Sequence, residues 1–85
     1  VRSAGHQLAR HGVRLNAIAQ NFVANDTYYP PDVLANDRFK ERLMREVPAR
    51  RIGEPEETAE LARFLLSNAS SFIFGQVLSN DGGWS

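Results

Sequence analysis

Val13-Arg14-Leu15-Asn16-Ala17-Ile18-Ala19 is the stretch on which the fold of this chain turns. Val13, Leu15, Ala17 and Ala19 alternate with Arg14 and Asn16, and Ile18 makes the second half apolar on both faces. That pattern predicts a strand entering a covered parallel sheet. Just upstream, Arg2 to His11 suits the end of a helix, and Gly12 stands where a helix commonly closes in the left-handed conformation. Just downstream, Gln20 to Pro31 forms the strand's exit loop. The loop mixes polar Asn21, Asn25 and Asp26 with aromatic Phe22, Tyr28 and Tyr29, and Pro30-Pro31 interrupts regular structure.

Further along, Asp32 is expected to cap a helix from Val33 to about Val47, with a break near Ala35-Asn36-Asp37. Phe39, Leu43 and Val47 recur every four residues and form an apolar stripe, while Arg38, Lys40, Glu41, Arg42, Arg45 and Glu46 point elsewhere. Pro48 ends that helix, and Arg50-Arg51-Ile52-Gly53 reads as a turn. Pro55, with Glu54, Glu56 and Glu57 around it, has the chemistry of a helix start. Thr58, Leu61, Ala62 and Leu65 predict a second buried stripe. After Ser67-Asn68 come Phe72, Ile73, Phe74 and Gly75, then a second strand centred on Gln76-Val77-Leu78 and a turn at Asp81-Gly82-Gly83.

The 85 residues carry ten Lys and Arg against ten Asp and Glu, so the formal charge is zero. With no run of like charge, counterion release gives nucleic acid or anionic lipid no purchase, and neither is expected as a partner. No apolar run approaches the roughly 20 residues that span a bilayer. The absence of cysteine suits a reducing compartment and leads to a cytoplasmic expectation. His6 and His11 have no carboxylate or cysteine at ligand spacing, so no metal site is expected. Arg50 and Arg51, beside the glutamates of a helix start, read as a structural ion cluster. No serine has a histidine and an acid at the spacing of an independent hydrolase.

The elements amount to about three helices and two strands separated by helical crossovers, the spacing of parallel neighbours. Two strands are too narrow to cover stripes from both sides. Residues 1–85 are therefore expected to be the C-terminal part of a single α/β domain, incomplete alone.

Arg14-Leu15-Asn16-Ala17-Ile18-Ala19, Pro48-Ala49-Arg50-Arg51-Ile52-Gly53-Glu54-Pro55-Glu56-Glu57 and Gly75-Gln76-Val77-Leu78-Ser79-Asn80-Asp81-Gly82-Gly83-Trp84 together resemble the C-terminal third of a short-chain dehydrogenase/reductase. The resemblance covers nearly the whole chain. It implies a Rossmann-like, doubly wound parallel sheet and a homotetramer, with Trp84 and the glycine turn near a subunit interface. Activity does not follow from such a fold and is read from its site.

Cofactor-using members of this superfamily typically place Pro-Gly after the first of these strands, so that bare backbone approaches the nicotinamide ring. This chain has Gln20-Asn21, which puts a side chain in that space. The run Gln20-Asn21-Phe22-Val23, with Asn25, Thr27, Tyr28, Tyr29 and Pro30, resembles the halide-pocket loop of the cofactor-independent halohydrin dehalogenases. The resemblance implies Gln20, Asn21 and Phe22 around a halide and Val23, Tyr28 and Tyr29 along the substrate. It further implies a lyase that closes haloalcohols to epoxides, with small anions opening them again, and no cofactor. The family's catalytic Ser-Tyr-Arg set would lie upstream of Val1, so no catalytic residue is assigned in this chain. Hydrogen-bond donors and positive ring edges suit a departing halide.

Two other readings stand beside this one: an NAD(P)-dependent reductase acting on a ketone/alcohol pair, and a catalytically silent subunit. Upstream residues discriminate among the three. A glycine-rich turn with Tyr-x-x-x-Lys belongs to the reductase, an aromatic replacement in that turn with Tyr-x-x-x-Arg to the dehalogenase, and loss of the tyrosine to the silent subunit.

Overall fold

The computed structural model describes residues 1–85. Helix α1 spans Arg2–Ala9, strand β1 Ala17–Gln20, helix α2 Pro31–Leu34, helix α3 Asp37–Glu46, helix α4 Pro55–Leu66 and strand β2 Val77–Asn80, with a single 3-10 turn at Asn68–Ser70. The two strands are neighbours and run parallel, in the register Ala17 to Val77 through Gln20 to Asn80. The long crossover between them carries α2, α3 and α4, as parallel pairing requires.

Local chemistry explains most boundaries. Gly12 takes φ 73° beyond the end of α1, the conformation anticipated for it. The ladder starts at Ala17 rather than Val13, because Ala17 N–H is the first to meet a β2-side acceptor, the carbonyl of Gln76. Before it, one backbone bond joins Gly75 N–H to Leu15 O at 2.9 Å, and the Asn16 side chain takes the place of further pairing, accepting from Gln76 N–H and donating to Ile73 O. Arg14 is drawn away from the ladder. Its Nη1 reaches Leu65 O, Ser67 O, Ser70 O and Ser70 Oγ at 2.7 to 3.2 Å, and so closes the carbonyl-rich end of α4 with a positive charge.

The helix expected over Val33 to Val47 breaks at the expected Ala35-Asn36-Asp37 into two helices. Pro31, with its preset φ, opens α2 at the first helical position, leaving Asp32 inside the first turn instead of capping it. Asn36 then takes extended geometry, and its Oδ1 accepts from Arg38 N–H at 2.9 Å and Phe39 N–H at 3.3 Å, starting α3 afresh. Pro55 opens α4 as anticipated. Glu57 accepts from Glu54 N–H at 2.9 Å and from Nη1 and Nη2 of Arg51 at 2.7 and 2.8 Å.

The core holds Phe22, Phe39, Leu43 and Val47, flanked by Tyr29, Val33, Leu34 and Ile52. The α3 stripe is thus buried as the four-residue spacing requires. The α4 stripe is in register but only half-buried: Thr58, Leu61, Ala62 and Leu65 are its inward residues, and no α4 residue is fully covered. The Cα radius of gyration is 15.6 Å and the longest dimension 49 Å, against about 12 Å for the gyration radius of a compact chain of this length. The α3 stripe is covered by loop residues, Phe22 and Tyr29 among them, whereas α4 packs on β1 and keeps its inner face partly open.

Glu57, bound by Arg51 first and by the Glu54 N–H second, has its carboxyl lowered from an ordinary 4.5 to about 2. The folded value lies below the unfolded one, so the pair's stabilisation is complete above about pH 4.5 and fades as pH falls toward 2. Both partners are exposed, which keeps the effect small and salt-sensitive. Arg51→Met should flatten the acid limb of an unfolding titration between those values, and 1 M salt should blunt the same limb in the unaltered protein. An Arg51→Met limb superimposable on the original would show the pair to be idle.

Candidate functional site

Parallel α/β folds place ligands outside the carboxyl ends of their strands, and both strands end at one point, Gln20 beside Asn80. Asn21 continues from β1 and still donates its N–H to Asn80 O at 3.2 Å. Phe22 then turns the chain sharply, at φ 56°, a left-handed conformation rarely adopted by a bulky residue. Val23 re-engages the fold through a parallel bridge to Gly53, made by Gly53 N–H to Phe22 O and Ala24 N–H to Gly53 O. The Val23 N–H has no acceptor within the chain, although the residue is only 5% exposed.

Asn25 organises the rest of the loop. Its Oδ1 accepts from Thr27 and Tyr28 N–H, its Nδ2 donates to Val23 O, and its N–H donates to Tyr29 O. This closed Asx-type turn sends Tyr29 back toward the strand end, where its hydroxyl donates to Asn21 Oδ1 at 2.7 Å. Phe22 N–H donates to the same oxygen at 2.8 Å. With Oδ1 doubly engaged, Asn21 Nδ2 carries free donors.

Gln20, Asn21, Val23, Asn25, Tyr28 and Tyr29 line one cavity of about 400 Å³. Five of the six residues expected at the pocket are therefore brought together. The Phe22 ring is the exception. It is 1% exposed and packed into the core, stacked on Tyr29, edge-on to Trp84 and roofed by the Arg42 guanidinium 5.1 Å from its centroid. Its left-handed φ explains the reversal: the turn that brings Asn21 and Val23 to the cavity swings the intervening ring inward. The same contact places Trp84, expected at a subunit interface, against Phe22 of its own chain. Behind the loop, Asp81 is buried, and its carboxyl is lowered first by the Ser85 hydroxyl and then by backbone N–H groups, Gly83's among them.

A larger open groove of about 800 Å³ continues from Gln20 and Val23 along Tyr29, Pro31 and Leu34 to the first two turns of α4. Sequence reasoning missed two residues linked to Gln20: Thr58, which lines the groove, and Asn80 at the end of β2. Asn80 Nδ2 donates to Thr58 Oγ1 at 2.9 Å, and Thr58 Oγ1 donates to Gln20 Oε1 at 2.8 Å. The only sequence signal was a hydroxyl at the head of an otherwise aliphatic stripe. No three His, Cys, Asp or Glu side chains gather as metal ligands, and no helix is long and apolar enough to cross a membrane.

Comparison with known proteins places this geometry. Residues 1–85 match the family model described as enoyl-(acyl carrier protein) reductase, and the chain belongs to this short-chain dehydrogenase/reductase family. The NADPH-dependent reductase BacG of Bacillus subtilis is 36% identical over 91% of the chain, and the 3-oxoacyl-[acyl-carrier-protein] reductase FabG of Chlamydia trachomatis 39% identical over 96%. The chain spans 32% of the length of each. A solved structure titled as a dehalogenation enzyme is 35% identical, superposes with a TM-score of 0.93 and covers the whole chain and 35% of its own length. A short-chain type dehydrogenase/reductase from Mycobacterium ulcerans superposes at 0.86 with 32% identity, over 98% of this chain and 30% of that one. These superpositions establish the α/β fragment with parallel strands as Rossmann-like. The reductase names lend no support to the expectation of cofactor independence.

Proposed function

We propose that residues 1–85 are the C-terminal third of a halohydrin dehalogenase-like lyase, and that the Gln20 to Tyr29 loop holds the leaving halide. One observation carries this reading: at the end of β1 the Asn21 carboxamide is pinned by Tyr29 and the Phe22 N–H, leaving Asn21 Nδ2 and the Val23 N–H as free donors. A nicotinamide ring that needs bare backbone at this position meets a fixed side chain instead, and the residues present do not fit it. A small anion suits them, because unpaired N–H donors beside one cavity can stabilise charge as it develops. The 35% identical dehalogenation enzyme supports the same reading.

In the reaction, the substrate's own oxygen forms a C–O bond as the adjacent C–halogen bond breaks, and the halide leaves with the bonding pair. The hydroxyl proton passes to a base outside this chain, by family resemblance a tyrosine with arginine and serine partners upstream of Val1. This chain's part is to receive the halide and to wall the substrate with Val23, Tyr28 and Tyr29. No cofactor is required.

A second reading, an NAD(P)-dependent reductase, is favoured by the names of the curated relatives, which are NADPH-dependent and acyl-carrier-protein reductases. The names weigh more toward reduction than toward dehalogenation; the strand-end geometry weighs the other way. The full-length protein, given a small vicinal chloroalcohol and no nicotinamide, should release chloride and form epoxide. Asn21→Gly should weaken bromide inhibition of that reaction by about ten-fold, the scale of one hydrogen bond to a charged group. Ketone reduction dependent on NADPH, with no chloride release, would decide for the reductase.

A further inference from the structure

Gln20 stands at the first position of the pocket loop, but its carboxamide could face the cavity with either end. A hydroxyl has one proton. Thr58 Oγ1 accepts from Asn80 Nδ2 at 2.9 Å and donates that proton to Gln20 Oε1 at 2.8 Å. With Oε1 turned toward Thr58 of α4, Nε2 has no acceptor within the chain, and Gln20 lines the cavity beside Asn21 and Val23. The three groups come from the ends of both strands and from α4.

We propose that Thr58 and Asn80 are positioning residues that orient the Gln20 carboxamide so that its N–H end, rather than its carbonyl, meets a bound anion. This rests on the halide-site reading above and adds to it a polarity-setting device, since a reversed amide would present oxygen to a halide and repel it. The leaving group is thereby selected as an anion in preference to a hydrogen-bond donor of the same size.

The test is bromide titration of the full-length protein by bromide-NMR line broadening. Thr58→Val, which keeps the branched shape and removes the hydroxyl, should weaken bromide binding by about five-fold, the scale of one neutral hydrogen bond. Thr58→Ser should restore the original affinity. If Thr58→Val folds poorly, Thr58→Ala removes the same hydroxyl without demanding space for a second methyl. In a Gln20→Leu background the hydroxyl should no longer matter, because its influence runs through the carboxamide. Equal bromide affinity with and without the hydroxyl, or an undiminished loss in the Gln20→Leu background, would overturn the inference and leave the halide site standing. Failure of the unaltered protein to bind bromide would overturn the dehalogenase reading and this inference with it.

Discussion

Phe22→Ala is expected to lower the unfolding free energy of the full-length protein by about 4 kcal/mol. The ring is buried to 1% exposure among Phe39, Leu43 and Val47 and meets Tyr29 and Trp84 at centroid distances of 5.7 Å each. Truncation would remove those contacts and leave a cavity whose walls belong to three different segments, so collapse around it would be incomplete. Alanine would not relieve the left-handed backbone at this position either. Phe22→Leu fills much of the volume and should cost far less. Denaturant midpoints of the two variants would measure the difference. Bromide affinity of Phe22→Leu should stay near the original, because the ring faces the core rather than the cavity; a large loss there would return Phe22 to the halide wall.

Gly5→Ala is expected to cost about 3 kcal/mol, the upper part of the range for overpacking. Gly5 is a buried residue in α1, and an added methyl would overlap the Cα of Gly75 and crowd Gly75 N and Leu15 O. All three obstacles are backbone, so no rotamer change can yield. Gly75, at φ 66°, sits in the turn that delivers β2 to its pairing with β1, and pushing it outward would disturb the register that brings Gln20 beside Asn80. Gly12→Ala serves as the comparison. No atom lies within 4 Å of its added methyl, so its cost is limited to the left-handed conformation, about 1 kcal/mol. Thermal or denaturant unfolding of both variants would separate the two causes. Equal destabilisation would mean that helix and turn do not touch as described.

Several features were legible because their chemistry is local. Gly12 and Pro55 mark helix ends through their own allowed dihedrals, the Phe39-Leu43-Val47 spacing fixes the inward face of α3, and helical crossovers imply parallel strands. The break at Asn36 is legible in the sequence, but of two side chains with similar acceptor oxygens, Asp32 and Asn36, only Asn36 caps a helix. Whether a carboxylate or a carboxamide meets an N–H depends on which backbone turns first, and Pro31 settled it. The alternation starting at Val13 places the start of β1 too early for a related reason. Val13 to Asn16 have strand-like alternation, but a strand exists only where a partner strand supplies acceptors.

At the candidate site, the sequence and its family resemblance named the loop and assigned to the pocket five of the six residues that line the cavity, Asn25 being the sixth. They could not give the direction in which Phe22 points, since a side chain's facing depends on a backbone reversal that few bulky residues adopt. Nor could they join Thr58 to Gln20 across 38 positions, or Gly5 to Gly75. The sequence by itself determined the elements, their order and the family, all of which rest on short-range patterning and residue type. Tertiary structure alone decided which polar atoms at the strand ends remain free to meet a ligand. That choice is made by hydrogen bonds between segments distant in the chain, whose partners are set by packing.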